Sequence, residues 1–114
     1  MSAQNIRDLA IDLTIGLTNV CDSIAGRSVF VNQLLRASSS IGANACEAKY
    51  AQSRADFIHK MEIALKECYE TDYWLEILYK VSAINETIYT QYKNMNGTIR
   101  RKLIASITTA KAVS

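Results

Sequence analysis

Residues 36–48 read RASSSIGANACEA, three consecutive serines, a glycine and four alanines in thirteen positions. That composition suits a flexible loop, a phosphate-binding turn or a helix with small side chains, and the choice decides the fold. Spacing favours the helix. Phe30, Leu34, Ala37 with Ser38, Ile41, Ala45 and Ala48 recur at three- and four-residue steps, the repeat of one face of an α-helix, and the period runs unbroken through the serines. A phosphate loop would need the GxxxxGK[ST] pattern, which the chain lacks. The stretch is therefore read as part of a helix from about Val29 to about Gln52.

The same period extends in both directions. Ile6, Leu9, Ala10, Leu13, Leu17, Val20, Cys21 and Ile24 form one face of a helix over residues 5–25, opposite Asp8, Asp12 and Asp22; Gly26 then supplies a stop and Ser28 an N-cap for the next helix. Ser53 followed by Asp56 resembles a capping box and opens a third helix over 54–83, with Phe57, Ile58, Met61, Ala64, Leu65, Cys68, Leu75 and Leu78 on one face. Asn85 caps a fourth over 86–111, striped by Ile88, Tyr92, Met95, Ile99, Leu103, Ser106 and Ala110. Asn96-Gly97 interrupts it and is read as a costly helix residue or a kink.

The 114 residues contain no proline and four glycines, so the usual punctuation of loops is nearly absent. Four long helices with short joints describe one domain, residues 1–114, folded as an all-α, up-down-up-down four-helix bundle. No stretch approaches the roughly 20 apolar residues of a membrane span, and the first ten residues lack a secretory pattern. The expected location is the cytoplasm, with no membrane partner. Cys21, Cys46 and Cys68 are odd in number, far apart and set among apolar or small residues, as structural thiols are.

A lone histidine, His59, and the absence of HExxH, GxSxG, GxGxxG and Glu-x-x-His patterns argue against an enzyme. No catalytic residue, metal site or cofactor is assigned. An enzyme would instead require a cluster such as Glu47, Glu67 and Glu70 in an open pocket. Charge placement is more informative. From Asn85 onward Lys93, Arg100, Arg101, Lys102 and Lys111 stand against Glu86 alone, four net positive charges in a chain of total +2. At about 100° per residue, Lys93, Arg100 and Lys111 share a line beside the apolar stripe. These five cations are the candidate contacts to RNA or DNA.

Two further groups stand out. Arg36, Ser40, Asn44 and Glu47 form a polar row beside the stripe of the second helix. Neighbouring alanines allow close approach of another helix, with Lys66, Glu67 and Glu70 as partners in a structural polar seam. In the third helix, Tyr73, Trp74, Leu75, Ile77, Leu78, Tyr79 and Val81 point nearly all round the axis. Tyr73, Trp74, Ile77 and Val81 are accordingly expected at a subunit contact.

The residues Arg36-Ala37, Ser40-Ile41, Asn44 and Glu47 resemble the RA…SI..N..E signature of the four-helix-bundle proteins encoded in bacterial 23S ribosomal RNA intervening sequences. Asp56-Phe57-Ile58, Ile63-Ala64, Lys66-Glu67, Glu70-Thr71 and Tyr73-Trp74-Leu75 are similar to that family's third helix. Gly26-Arg27-Ser28 replaces the family's usual joint proline, and Ala48 its usual glycine. The resemblance implies a homopentamer of bundles. It also implies kinship with the accessory variability determinant protein of diversity-generating retroelements, which associates with nucleic acid and a reverse transcriptase. A structural or protein-adaptor oligomer with no nucleic-acid role is the competing expectation.

Overall fold

The computed structural model describes residues 3–113 of the chain, with side chains from Asn5. It contains four helices, α1 Ala3–Asp22, α2 Ser28–Lys49, α3 Arg54–Lys80 and α4 Glu86–Ala112. Joints of only four or five residues force successive helices to run antiparallel. Each helix packs on its chain neighbours and α4 closes back on α1, while the described residues show no close backbone contact across either diagonal. The result is an all-α up-down-up-down bundle, 49 Å long and 20 by 19 Å across.

The stripe through the serines is the core face of α2: Leu34, Ala37, Ser38, Ile41, Ala45 and Ala48 are its buried residues. Small side chains let the neighbouring helix come close, and a Cβ added at Gly42 would lie 3.2 Å from the Ala10 Cβ of α1. Ile6, Leu13 and Leu17 of α1, Met61, Leu75 and Leu78 of α3, and Ile99 and Leu103 of α4 complete the core. A second close approach brings α1 against α4, where a Cβ on Gly16 would stand 2.6 Å from the Tyr92 ring.

Caps bear out part of the reading. Ser53 accepts from the Asp56 amide at 3.0 Å and Asn85 from the Ile88 amide at 2.9 Å. Ser28 does not cap α2; it is the first helical residue, and the Arg27 before it makes no side-chain cap bond. The first three helices end at Asp22, Lys49 and Lys80, each three residues short of where the periodicity placed the end. The reason is that joint residues still reach the core: Ile24 packs against it and Ile84 is buried within it, so the apolar period outlasts the helix. After α3 the chain turns through Ser82, at φ +63°. The Ser82 amide donates to the Tyr79 carbonyl and the Ala83 amide to the Leu78 carbonyl. That pairing is the Schellman closure, with serine in the position that usually favours glycine.

Asn96-Gly97 neither turns nor breaks the chain, for α4 runs through both and both are buried. The all-round apolar end of α3 also has an internal explanation. Helix α3 lies between α2 and α4, so its apolar arc is wide. Trp74 stacks on Phe30 of α2 with centroids 6.2 Å apart, and Tyr79 on Tyr89 of α4 at 4.5 Å.

Candidate functional site

The polar row of α2 resolves into two clamps rather than one continuous seam. Arg36 reaches across to α3, where its Nη1 lies 3.5 Å from both Glu67 carboxylate oxygens and its Nη2 donates to Glu70 Oε1. Trp74 Nε1 donates to the same Glu70 oxygen at 3.3 Å. Burial pulls the Glu70 carboxyl upward, but the bonds from Arg36 and Trp74 and the Arg36 charge outweigh it, leaving it below the usual carboxylate range. Chiefly through Glu70, the Arg36 guanidinium is held more firmly protonated. One turn beyond the row's midpoint, Lys60 Nζ donates to Glu47 Oε1 at 2.9 Å, which raises the Lys60 pKa.

Ser40 and Asn44, between the clamps, turn inward on their own helix: Ser40 Oγ donates to the Arg36 carbonyl at 2.8 Å and Asn44 Nδ2 to the Ser40 carbonyl at 2.8 Å. Short polar side chains satisfy themselves locally in this way wherever the neighbouring helix offers no closer partner. With Glu47 paired to Lys60 and Glu67 and Glu70 to Arg36, the three acids form helix-to-helix bridges; they do not converge in one pocket.

The α4 cations divide into two sets. Arg100 Nη1 donates to Asp72 Oδ2 of α3 at 3.1 Å, both partly buried, and Lys111 Nζ to Glu62 Oε2 at 3.0 Å. Both charges are thus committed inside the chain. Lys93 instead sits over the Tyr89 ring, 5.4 Å from its centroid, and donates to the Tyr89 hydroxyl at 3.3 Å. Arg101 is exposed, its Nη2 donating to Thr98 Oγ1 of its own helix at 3.2 Å, and Lys102 is half-buried. Of the expected contact residues at the end of α3, Tyr73 is exposed, whereas Trp74, Ile77 and the C-cap residue Val81 are half-buried.

One polar site escaped the sequence reading. Asn96 is fully buried between α4 and α3, its Nδ2 donating both to the Cys68 carbonyl at 2.8 Å and to Asp72 Oδ1 at 2.9 Å. Two acceptors on one amide nitrogen fix the amide's orientation. Asn96 Oδ1 then has no hydrogen-bond partner among the described residues. Asp72, held by Asn96 on one oxygen and Arg100 on the other, locks the register of α3 against α4. A signal was present: Asn96 stands seven residues before Leu103, on the core side of the wheel.

Burial, then the nearby Asp72 charge, pushes the Cys68 thiol up to about 12; Cys21 is raised for the same first reason. Both are protonated and poorly nucleophilic. Among the described residues no three His, Cys, Asp or Glu side chains cluster as metal ligands, and no helix is long and apolar enough to cross a membrane.

Comparison with known proteins places this geometry in a family. Residues 3–105 match the model of the 23S rRNA-intervening sequence protein family. A crystal structure of a Bacteroides thetaiotaomicron protein of unknown function, from the S23 ribosomal protein family, superposes with a TM-score of 0.88. It is 38% identical in sequence, over 95% of this chain and 99% of that one. No curated protein matches. Family match and superposition both span nearly the whole bundle, with both clamps and most of α4 included, and on that ground the chain belongs to the 23S rRNA-intervening sequence protein family.

Proposed function

We propose that this chain is a non-enzymatic, self-assembling bundle of the cytoplasm that binds nucleic acid or a ribonucleoprotein through the outer edge of α4. The observation that carries the reading is the segregation of four net positive charges in the α4 region, with Lys93 and Arg101 directed outward rather than into ion pairs with α3. Arg100 and Lys111 serve the bundle first; their pairing narrows the contact to Lys93, Arg101 and the flank of Lys102. Cations spaced along a helix contact phosphates without reading bases, so the binding is salt-sensitive and only weakly sequence-specific. The ribosomal names of the family and of the similar structure agree with a ribonucleoprotein setting. A homopentamer, as the family resemblance implies, would repeat this edge around an axis; a reverse transcriptase is one protein partner the same resemblance brings forward.

Mobility-shift titration with structured RNA and with duplex DNA, at low and moderate salt, tests the proposal. A shift is expected that Lys93→Glu with Arg101→Glu abolishes. Relative to the wild type, Lys93→Ala and Arg101→Ala should each lower the log-log salt slope by about one unit. No shift, or a shift indifferent to both changes, refutes it. A purely structural or adaptor assembly is the second reading, favoured by the exposure of Tyr73 on α3 and Val29 on α2.

A further inference from the structure

Gly97 lies on the flank of α4, about 100° round the helix from the core residue Asn96, and is nonetheless buried. What lies over it are two side chains of its own helix. A Cβ built there would stand 3.3 Å from Arg101 Nη1 and 3.7 Å from Arg100 Nη2, and these two guanidinium groups supply all of its nearest neighbours. Helical side chains lean toward the N-terminus, so the residues three and four places on meet over this position. Glycine in a helix interior costs about 1 kcal/mol against alanine, and no atom of a neighbouring helix comes nearer to use the space it leaves. That space is a notch on which two cations converge.

The notch is organised from below. Asp72 is fixed through Oδ1 by the buried Asn96 amide and accepts from Arg100 Nη1 through Oδ2 at 3.1 Å. One edge of the Arg100 fork is thereby anchored, and Nη2 is left at the notch. Arg101 comes from the other side, its Nη2 donating to the Thr98 hydroxyl at 3.2 Å and its Nη1 lying over Gly97. Neither Arg100 Nη2 nor Arg101 Nη1 has a hydrogen-bond acceptor among the described residues. Asp72 offsets one of the two charges, and both its oxygens are already engaged. Two guanidinium edges facing one small space, with donors to spare, suit an oxyanion whose oxygens can accept from both.

We propose that the Gly97 notch holds one phosphodiester group of a nucleic-acid backbone, with two of its oxygens accepting from Arg100 Nη2 and Arg101 Nη1. The assignment rests on the nucleic-acid reading above and names the point at which a phosphate is gripped rather than merely attracted. It also returns Arg100 to the contact, since pairing with Asp72 orients the guanidinium without using all its donors. A fork held in place before the ligand arrives loses little freedom on binding. A phosphate held this way carries no base information, so the notch adds affinity without sequence preference.

The test is fluorescence anisotropy of a labelled structured RNA titrated with the full chain and with two variants that keep its net charge. Gly97→Leu fills the notch; Arg100→Lys with Arg101→Lys keeps both charges and removes both forks. Each is expected to bind about tenfold more weakly than the wild type, the loss of roughly one charge-assisted hydrogen bond. Circular dichroism checks that each is folded, and the two-lysine variant decides the matter should Gly97→Leu unfold. At matched ionic strength, inorganic phosphate should displace the RNA from the wild type more effectively than chloride does, and should lose that advantage with Gly97→Leu. A folded variant of either kind that binds as tightly as the wild type overturns the notch; if Lys93→Glu with Arg101→Glu still abolishes binding, the α4 reading stands without it. Calorimetry that finds inorganic phosphate bound by a chain that binds neither RNA nor duplex DNA assigns the notch to free phosphate and overturns the phosphodiester assignment. A wild type that binds neither phosphate nor nucleic acid overturns the notch and the α4 reading together.

Discussion

Replacing Asn96 with alanine removes the side chain that ties α4 to both the Cys68 carbonyl and Asp72. The bond to the neutral carbonyl is worth about 1 kcal/mol net and that to the carboxylate about 2. The lost amide also leaves a small cavity, adding about 1 kcal/mol because the residue is fully buried. Against this, the variant no longer buries an unpartnered Oδ1, which returns about 1–2 kcal/mol. The expected loss is about 2–3 kcal/mol, a fall of roughly 8–12 °C in Tm for a chain of this length. Urea unfolding followed by circular dichroism reads it directly. Asn96→Asp should cost more at neutral pH, since it sets a second carboxylate against Asp72, and should recover as the pH falls and the pair takes up a proton. If Asn96→Ala unfolds within about 0.5 kcal/mol of the wild type, and Asn96→Asp shows no recovery in acid, the account of this network is wrong.

Ser82→Gly should stabilise the chain by about 0.5–1 kcal/mol, because glycine adopts the left-handed conformation at φ +63° without a Cβ penalty; a higher urea midpoint checks it. Gly16→Ala should lose more to the Tyr92 ring than the roughly 1 kcal/mol it gains in helix propensity, and should become stabilising when Tyr92 is replaced by leucine. A double-mutant cycle measures that change of sign. Glu70 has a lowered folded pKa, so its contribution is fully present above the unfolded value near 4.3 and is lost as pH falls through the folded value. Glu70→Gln should accordingly flatten the acid limb of the stability curve between about pH 5 and 3, visible in urea midpoints taken across that range.

The fold was legible because packing in a bundle leaves a helical period in the sequence. In α2 the six buried residues are the ones the period marks, although two of their neighbours are serines. The Arg36 clamp was legible in part: its spacing pointed at α3, and Glu67 and Glu70 are there to receive it. What a single helix could not disclose was the charge on its neighbour. Arg100 and Lys111 look like a free cationic line on the wheel of α4, yet Asp72 and Glu62 lie across the seam. Ser40 and Asn44 share the wheel position of Arg36 but are too short to cross, so their bonds stay within α2. Asn96 was hidden differently: next to Gly97 it has the local look of a turn, and only its partners on α3 make it a core residue.

The thiol of Cys68 lies in the seam that Asn96 and Asp72 hold shut, buried and protonated at any physiological pH. Its modification by a thiol reagent thus requires α3 and α4 to part, and the rate at which that happens reports the free energy of this one opening, separately from unfolding of the whole chain. The cysteine is a built-in gauge of how tightly the α4 edge is held to the bundle. A bound polyanion that drew Arg100 away from Asp72 would register there as faster labelling, and one that left the pair intact would not.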